Sequence, residues 1–268
     1  GLVPRISKVP DHLTYAEQGS EGLVSRIWTA SDIPEAKPDD NLPPEIFPIP
    51  VLQLSTFGSW AEIVERLLGR WDFVPASRAD LDVELEAIRD LGGGDVDKLV
   101  DAVVFSARDA VRYQAYSPGL LAMVPENLSK VWERRYGDCK GKSLLLTWYL
   151  RRLGIDATPV LVNSSQGKAL PGMLPSPRLF DHVVTRVRCA GRELWIDATD
   201  LYRGGRPSEW TTLPFSWGLP LEEEAEHLVA IPAAAPEDSF LKVRERLKPD
   251  SRSRVVSLDY EILARGPG

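Results

Sequence analysis

The sequence predicts an α+β fold in which one buried helix, carrying a cysteine, packs on an antiparallel sheet. Two observations lead to this prediction. The helix starts at Cys139 and continues to Leu153 through a run that is too apolar for a surface stripe. After Gly154 the spacing of apolar residues changes from the helical period to the alternation of strands, which predicts strands at 182–188 and 193–197. Both strands are expected in the sheet that covers the helix.

Cap residues place Cys139 in the first turn of this helix. Asp138 is a good N-cap, because its carboxylate can accept an orphan backbone N–H. At the other end, Arg151 and Arg152 suit the negative end of the helix dipole, and Gly154 is the expected residue after the C-cap. The dipole at the N-terminus favours a thiolate at Cys139, and the thiolate is the reactive form. The plain alternative is a small buried apolar residue, as most free cysteines are.

The remaining elements follow in order from alternation, capping signals and helical spacing. Before the cysteine helix they are a strand at 24–30, a proline-rich loop at 34–50, a strand at 51–55, and helices at about 59–71, 80–91, 95–110 and 126–135. After it they are a strand at 158–162, a loop at 163–178, the two strands already named, an irregular stretch at 201–220, and strands at 229–231 and 255–263. The loop at 163–178 is unusually long for a simple connection, so it is a candidate substrate-side loop.

Composition excludes several classes of function. The 268-residue chain has a formal net charge of −7, whereas a nucleic-acid surface normally needs a basic face. No apolar run approaches the roughly 20 residues of a membrane span, and no signal peptide is seen in this chain. Its two cysteines are too far apart in sequence for a disulfide framework, and its three histidines lack the ligand spacing of a structural zinc site. We therefore expect no nucleic-acid partner, no metal and no cofactor.

One further motif is incomplete. Gly141-Lys142-Ser143 looks like the end of a phosphate-binding loop, but that loop needs a glycine where this chain has Tyr136. The residues just before it also follow a helical pattern instead of a strand pattern. The sequence therefore predicts no nucleotide site.

Three chemically suited residues flank the cysteine helix and the hairpin that follows it. Cys139 begins the helix, His182 opens one strand of the hairpin, and Asp197 closes the other. With a two-residue turn, His182 and Asp197 are diagonal neighbours on one face; a three-residue turn puts them on opposite faces. Each residue alone has an ordinary structural explanation. Together they are the parts of a Cys-His-Asp triad, with a nucleophile, a base and an orienting carboxylate.

Three motifs, in the right order, make the chain similar to a known family. They are Tyr136-Gly137-Asp138-Cys139-Lys140, Leu174-Pro175-Ser176 leading to Phe180-Asp181-His182, and Trp195-Ile196-Asp197-Ala198-Thr199. Over about 95–240 the chain resembles the papain-like, transglutaminase-like core of bacterial proteins. The resemblance implies that Cys139 is the nucleophile, His182 the base and Asp197 the carboxylate. The family usually has Asp where this chain has Gly141, and this departure concerns the substrate more than the chemistry.

The same resemblance extends to the flanking regions. Residues 20–75 look like the end of the uncharacterised β-rich domain (DUF3857) that often precedes this core in bacteria. This implies three parts: the end of that domain at 1–58, a transglutaminase-like core at 59–236, and a linker with the start of a C-terminal β domain at 237–268. It also implies a periplasmic or cell-envelope location.

The function implied is cysteine-dependent acyl transfer on a peptide or protein substrate. Cys139 attacks an amide carbonyl to form a thioester, and its backbone N–H stabilises the oxyanion with a second donor, for which Tyr113 and Gln114 are candidates. Water as acceptor makes a hydrolase, meaning a protease or amidase, and an amine makes a transglutaminase; the residues leave this choice open. The alternative is a non-catalytic interaction module on the same scaffold.

Overall fold

Five α-helices and one five-stranded antiparallel sheet form the centre of the described chain. The computed structural model describes residues 3–7, 13–20, 23–32, 35, 41–43, 46, 51–74, 79–115, 123–234, 240–250 and 255–265. The helices are α1 (Trp60–Leu68), α2 (Ala79–Gly92), α3 (Val96–Ala110), α4 (Leu128–Arg134) and α5 (Cys139–Arg152). The strands are β1 (Val3–Ser7), β2 (Leu13–Ser20), β3 (Leu23–Ala30), β4 (Val51–Ser55), β5 (Arg112–Tyr113), β6 (Tyr136–Gly137), β7 (Asp156–Val162), β8 (His182–Cys189), β9 (Arg192–Ile196), β10 (Trp217–Pro220), β11 (Val229–Ala230), β12 (Phe240–Asp250) and β13 (Val255–Arg265).

The main sheet has the strand order β11-β10-β7-β8-β9, and each neighbouring pair is antiparallel. Its central strands are apolar on both faces because both faces are covered. Leu161 and Val183 belong to the large core that includes α5, whereas Val184 and Trp195 pack in a second, smaller core with Leu213 and others from the chain beyond β9. The sheet therefore lies between the cysteine helix and the irregular stretch that follows the hairpin.

The helix α5 is buried from Cys139 to Leu150, as its apolar sequence predicts. Asp138 caps it, accepting the backbone N–H of Gly141 at 3.0 Å. Gly141 itself permits the close approach of α4, because a Cβ there would lie 3.0 Å from a methyl group of Val131. A larger residue such as aspartate would therefore press against the side chain of Val131, which agrees with glycine in this chain.

The predicted helices are all present, and most differences lie at their ends. The first ends at Leu68, three residues before the expected end at Trp71, which is instead buried and donates its indole N–H to the carbonyl oxygen of Met123. Most of the proline-rich loop at 34–50 lies outside the described residues. The strands β1, β2, β10 and β12 were not predicted, because their patterns are short, interrupted by glycine or proline, or dominated by charged residues.

Toward the two ends of the sequence, the strands form three separate two-stranded sheets: β1 with β4, β2 with β3, and β12 with β13. The last pair extends the strand expected at 255–263 into a hairpin with an apolar and a charged face. Arg244 and Lys248 form ion pairs with Glu261 and Asp259 on the charged face. None of the helices among the described residues is long and apolar enough to cross a membrane. The prediction of a cysteine-bearing helix on an antiparallel sheet, with β structure on both sides, is confirmed.

Candidate active site

The hairpin register brings His182 and Asp197 to the same face of the sheet. Cys189 pairs with Arg192, so the turn has two residues, Ala190 and Gly191, with φ of 49° and 72°. This is the turn geometry that matches the twist of antiparallel strands. Of the two registers that the sequence allowed, the two-residue turn is therefore the one found.

His182 and Asp197 form a buried hydrogen-bonded pair. The Nε2 atom of His182 lies 2.7 Å from Oδ2 of Asp197, and their side chains are 13% and 12% exposed. The other carboxylate oxygen, Oδ1, accepts the backbone N–H of Thr199 at 2.8 Å and its hydroxyl at 2.7 Å. Burial alone would raise the pKa of Asp197, but the hydrogen bond and charge of His182, together with Thr199, outweigh it and lower that pKa. The carboxylate is therefore ionised and held in one orientation.

The thiol of Cys139 completes the arrangement. Cys139 is 6% exposed at the first position of α5, and its side chain is near enough to the imidazole of His182 to raise the pKa of that ring. Because Nε2 faces Asp197, Nδ1 is the nitrogen left for the sulfur. Burial lowers the pKa of His182, but the hydrogen bonds and negative charges of Asp197 and Cys139 together raise it to about 10. At neutral pH the imidazole is thus protonated beside the ionised carboxylate of Asp197.

The raised pKa of His182 predicts a loss of stability at alkaline pH. Its contribution is fully present below the unfolded value of about 6.5 and declines as the pH approaches about 10, because the folded state retains a proton that the unfolded state has lost. Buried Lys142 acts in the opposite sense. Burial lowers its pKa from 10.5 to about 8, so its contribution to stability rises above pH 8.

A comparison of wild type with His182→Gln separates the contribution of His182 to the pH dependence of stability from that of Lys142. We expect the difference in free energy of unfolding, measured by urea denaturation at pH 6.5, 8 and 9.5, to shrink steadily with pH, since Lys142 is present in both proteins. A difference that stays constant over this range would show that His182 is not charged in the folded protein.

A short parallel pairing brings Tyr113 next to the cysteine. Tyr113 pairs with Gly137, because β5 and β6 run side by side just before α5. Burial raises the pKa of Tyr113, and the nearby negative charges of Cys139, Asp197 and Asp138 raise it further. The phenol is therefore neutral, as a hydrogen-bond donor to an oxyanion must be.

Gln114, the other residue predicted as a donor, lies beside Gly137 and lines a cavity. Its backbone N–H is bonded to the carbonyl oxygen of Gly137 at 3.0 Å, and the residue lines a cavity of about 550 Å³ beside the first turn of α5. Two ion pairs also line this cavity: Arg134 with Glu126 at 3.0 Å, and Lys140 with Asp138. A cavity of this size can hold a small ligand or part of a peptide.

Two further residues support the site, and the sequence analysis did not identify them as such. Lys142 is fully buried, and its ammonium group donates to the carbonyl oxygens of Ala107 at 2.8 Å and Arg108 at 3.1 Å, and also to that of Val111. It thereby holds the C-terminal end of α3, from which the strand with Tyr113 continues. The sequence feature that could have indicated this role is a lysine within an otherwise apolar helix. The ring of Phe215, whose centroid is 5.7 Å from that of His182, covers the imidazole.

Cys189, the second cysteine, is a free, buried thiol at the end of β8, and burial raises its pKa. Within the described ranges, no three side chains of the His, Cys, Asp or Glu type are grouped as metal ligands.

Comparison with solved structures places the fold in a known class. A protein from Parabacteroides distasonis, provisionally described as a protease, superposes with a TM-score of 0.58 at 16% identity, over 86% of this chain and 42% of its own. A TGase gives a TM-score of 0.31 at 17% identity over 50% of this chain and 36% of its own. A protein from Cytophaga hutchinsonii, provisionally described as a cysteine protease, gives 0.35 at 10% identity over 98% and 78%.

The chain thus spans less than half the length of the Parabacteroides protein. No protein-family profile matches the sequence, and no curated protein is similar to it. At these sequence identities the comparison shows similarity of fold alone. Its mixed helices and antiparallel sheet are the fold that this chain shares with the Parabacteroides protein.

Proposed function

We propose that this protein is a cysteine-dependent acyl-transfer enzyme of the transglutaminase-like type, acting on an amide of a peptide or protein. The observation that carries the proposal is that Cys139, His182 and Asp197 come together, with the imidazole bonded to Asp197 at 2.7 Å and its pKa raised by both neighbours. A thiol at a helix N-terminus beside a protonated imidazole is the arrangement that activates a cysteine nucleophile. The fold and the sequence motifs around all three residues support the same assignment.

In the proposed reaction, the Cys139 thiolate attacks the carbonyl carbon of the substrate amide. The new carbon–sulfur bond pushes the carbonyl electrons onto oxygen, and His182 then gives its proton to the departing amine as the carbon–nitrogen bond breaks. This leaves a thioester on Cys139 and a neutral imidazole. His182 next takes a proton from the acceptor, which attacks the thioester and regenerates the thiolate. Asp197 keeps the imidazole oriented throughout.

The oxyanion formed in both steps has two proposed donors. The backbone N–H of Cys139 is in the first turn of α5, where N–H groups have no acceptor within the helix. The hydroxyl group of Tyr113 is the second donor, favoured over Gln114 because Tyr113 is close enough for the charges of Cys139 and Asp197 to raise its pKa. Such donors act by stabilising charge that develops only in the transition state.

The wider assignment is also a proposal and rests on the family resemblance. Under it, 59–236 form the catalytic core, 1–58 are the end of a DUF3857-like domain, and 237–268 are a linker and the start of a C-terminal β domain. A bacterial periplasmic or cell-envelope location is part of the same proposal.

Activity profiling of the whole chain tests the function. Peptide libraries are incubated with the wild type and with Cys139→Ala, with and without a primary amine, and the products are identified by mass spectrometry. We expect cleaved or deamidated peptides without the amine, amine adducts with it, or both, in wild type alone. If neither product forms and no thioester on Cys139 is trapped, the protein is an interaction module and the enzyme proposal fails.

A further inference from the structure

The loop that delivers His182 to the site is held from two sides. It connects β7 to β8 over residues 163–181, and His182 is the first residue after it. On its inner side, Asn163 donates its side-chain amide to the carbonyl oxygen of Leu179 at 2.7 Å. Asp181 accepts both the backbone N–H of Ser164 at 2.8 Å and its hydroxyl at 2.7 Å. These bonds join the two ends of the loop to each other.

On its outer side, the loop is bound by β4, a strand more than 100 residues away in sequence. The backbone N–H of Leu174 donates to Oε1 of Gln53 at 2.8 Å. The hydroxyl of Ser55 donates to the carbonyl oxygen of Pro175. Ser55 is buried, and its oxygen also accepts the backbone N–H of Phe57 at 3.1 Å, so its hydroxyl proton is directed at the loop.

A third contact continues this attachment toward His182. The ring of Trp60, at the start of α1, meets the ring of Phe180 edge to face, with centroids 5.9 Å apart. Phe180 is buried and stands two residues before His182. The segment 53–60 therefore runs along the loop from Leu174 to Phe180, two residues before β8 begins. We call this segment the strap.

The strap acts on the part of the site with least support of its own. Cys139 is set by a capped, buried helix, and Asp197 by Thr199 and the hairpin turn. His182 opens its strand and pairs with Val162 of β7, whereas the pairing of β8 with β9 begins only at Thr185. Its position therefore depends in part on the loop that precedes it, and hence on the inner bonds and the strap.

We propose that Gln53 and Ser55 are positioning residues for His182, so that the strand preceding the core sets the reactivity of the Cys139–His182 pair. This inference rests on the proposed function. The two side chains touch neither the sulfur nor the imidazole, and act through the loop. It follows that anything which pulls β4 away from the loop lowers activity without occupying the cleft.

The test uses the whole chain with Gln53→Met and Ser55→Ala combined, which removes both bonds while keeping side-chain size close to the original. Two quantities are measured: the alkylation rate of Cys139 by iodoacetamide against pH, with peptide mapping to separate it from Cys189, and the titration of His182 by NMR. We expect the rate at neutral pH to fall roughly tenfold, as for the loss of two hydrogen bonds. We expect the His182 midpoint to move from about 10 toward 6.5.

Two controls distinguish positioning from a general loss of structure. Thr56→Ala changes an exposed residue directly after β4 and should leave both readouts unchanged. Gln53→Glu keeps an oxygen acceptor for the N–H of Leu174. It should therefore retain most of the alkylation rate and of the His182 midpoint that Gln53→Met alone lowers. Melting temperatures are measured alongside, and Gln53→Met alone serves if the double variant does not fold.

The outcomes separate this inference from the proposed function. If the wild-type Cys139 reacts no faster than an ordinary thiol, the proposed function fails, while the His182 titration still decides the inference. If the double variant and Thr56→Ala give the same rate profile and the same His182 titration as wild type, the strap does not position His182 and the inference is wrong.

Discussion

Replacing Cys139 with alanine is expected to abolish amide cleavage and amine transfer while changing stability little. The sulfur is the only nucleophile that the protein supplies in the proposed reaction, and loss of such a residue typically costs on the order of 10⁶ in rate. The substitution removes one small atom near a helix end, so any cavity costs on the order of 1 kcal/mol at most. The pKa of His182 should also fall, since one of the two residues that raise it is gone. Activity assays and thermal melting on the same preparation check all three expectations.

Leu145→Ala provides the opposite pattern as a control. Leu145 is completely buried in α5, six residues after the cysteine. Its truncation should lower the free energy of unfolding by roughly 2–5 kcal/mol, yet leave the surviving folded protein active. If Cys139→Ala melts far below wild type while Cys139→Ser retains activity, the cysteine is a core residue and the proposed mechanism is wrong.

The second large effect is expected for Asp197→Asn, because the bonds to Asp197 dictate how the asparagine must sit. The N–H and hydroxyl of Thr199 both donate to Oδ1, so they select the amide oxygen for that position. The amide nitrogen then replaces Oδ2 and presents its hydrogens to Nε2 of His182. That nitrogen must become an acceptor, which moves the imidazole proton to Nδ1 and removes the base from the thiol. A similar tautomer change in a triad costs about 10⁴ in rate.

Asp200→Asn is the matched control for this variant. It makes the same change of charge three residues away, and the carboxylate oxygen that accepts the N–H groups of Tyr202 and Arg203 can be replaced by the amide oxygen. We expect near wild-type rates for Asp200→Asn, and for Asp197→Asn a slow enzyme with an unchanged circular dichroism spectrum and a lower pKa of His182. Equal losses in the two variants would mean that net charge near the site matters and orientation of the imidazole does not.

Local interactions explain which parts of this protein the sequence predicts by itself. The start of α5 depends on one side chain, Asp138, and one backbone N–H three residues later, so its position can be read from neighbouring residues alone. The burial of that helix follows from its uninterrupted apolar run, and the change to alternation after Gly154 marks the strands β7 to β9. For the same reason, the motif around Cys139 indicates a fold class before any contact is known. The catalytic roles of Cys139, His182 and Asp197 stay a prediction.

Contacts between distant parts of the chain decided the rest, because a sequence pattern carries no information about which segments meet. Whether His182 and Asp197 share a face depended on one residue in a turn, and only the pairing of Cys189 with Arg192 decides it. Tyr113 comes beside the thiol through a two-residue parallel pairing too short to leave a pattern. The bonds from Gln53 and Ser55 to the loop before His182 cross about 120 residues of sequence. The sequence by itself determined the helix and its cysteine, and the tertiary structure determined what surrounds the sulfur.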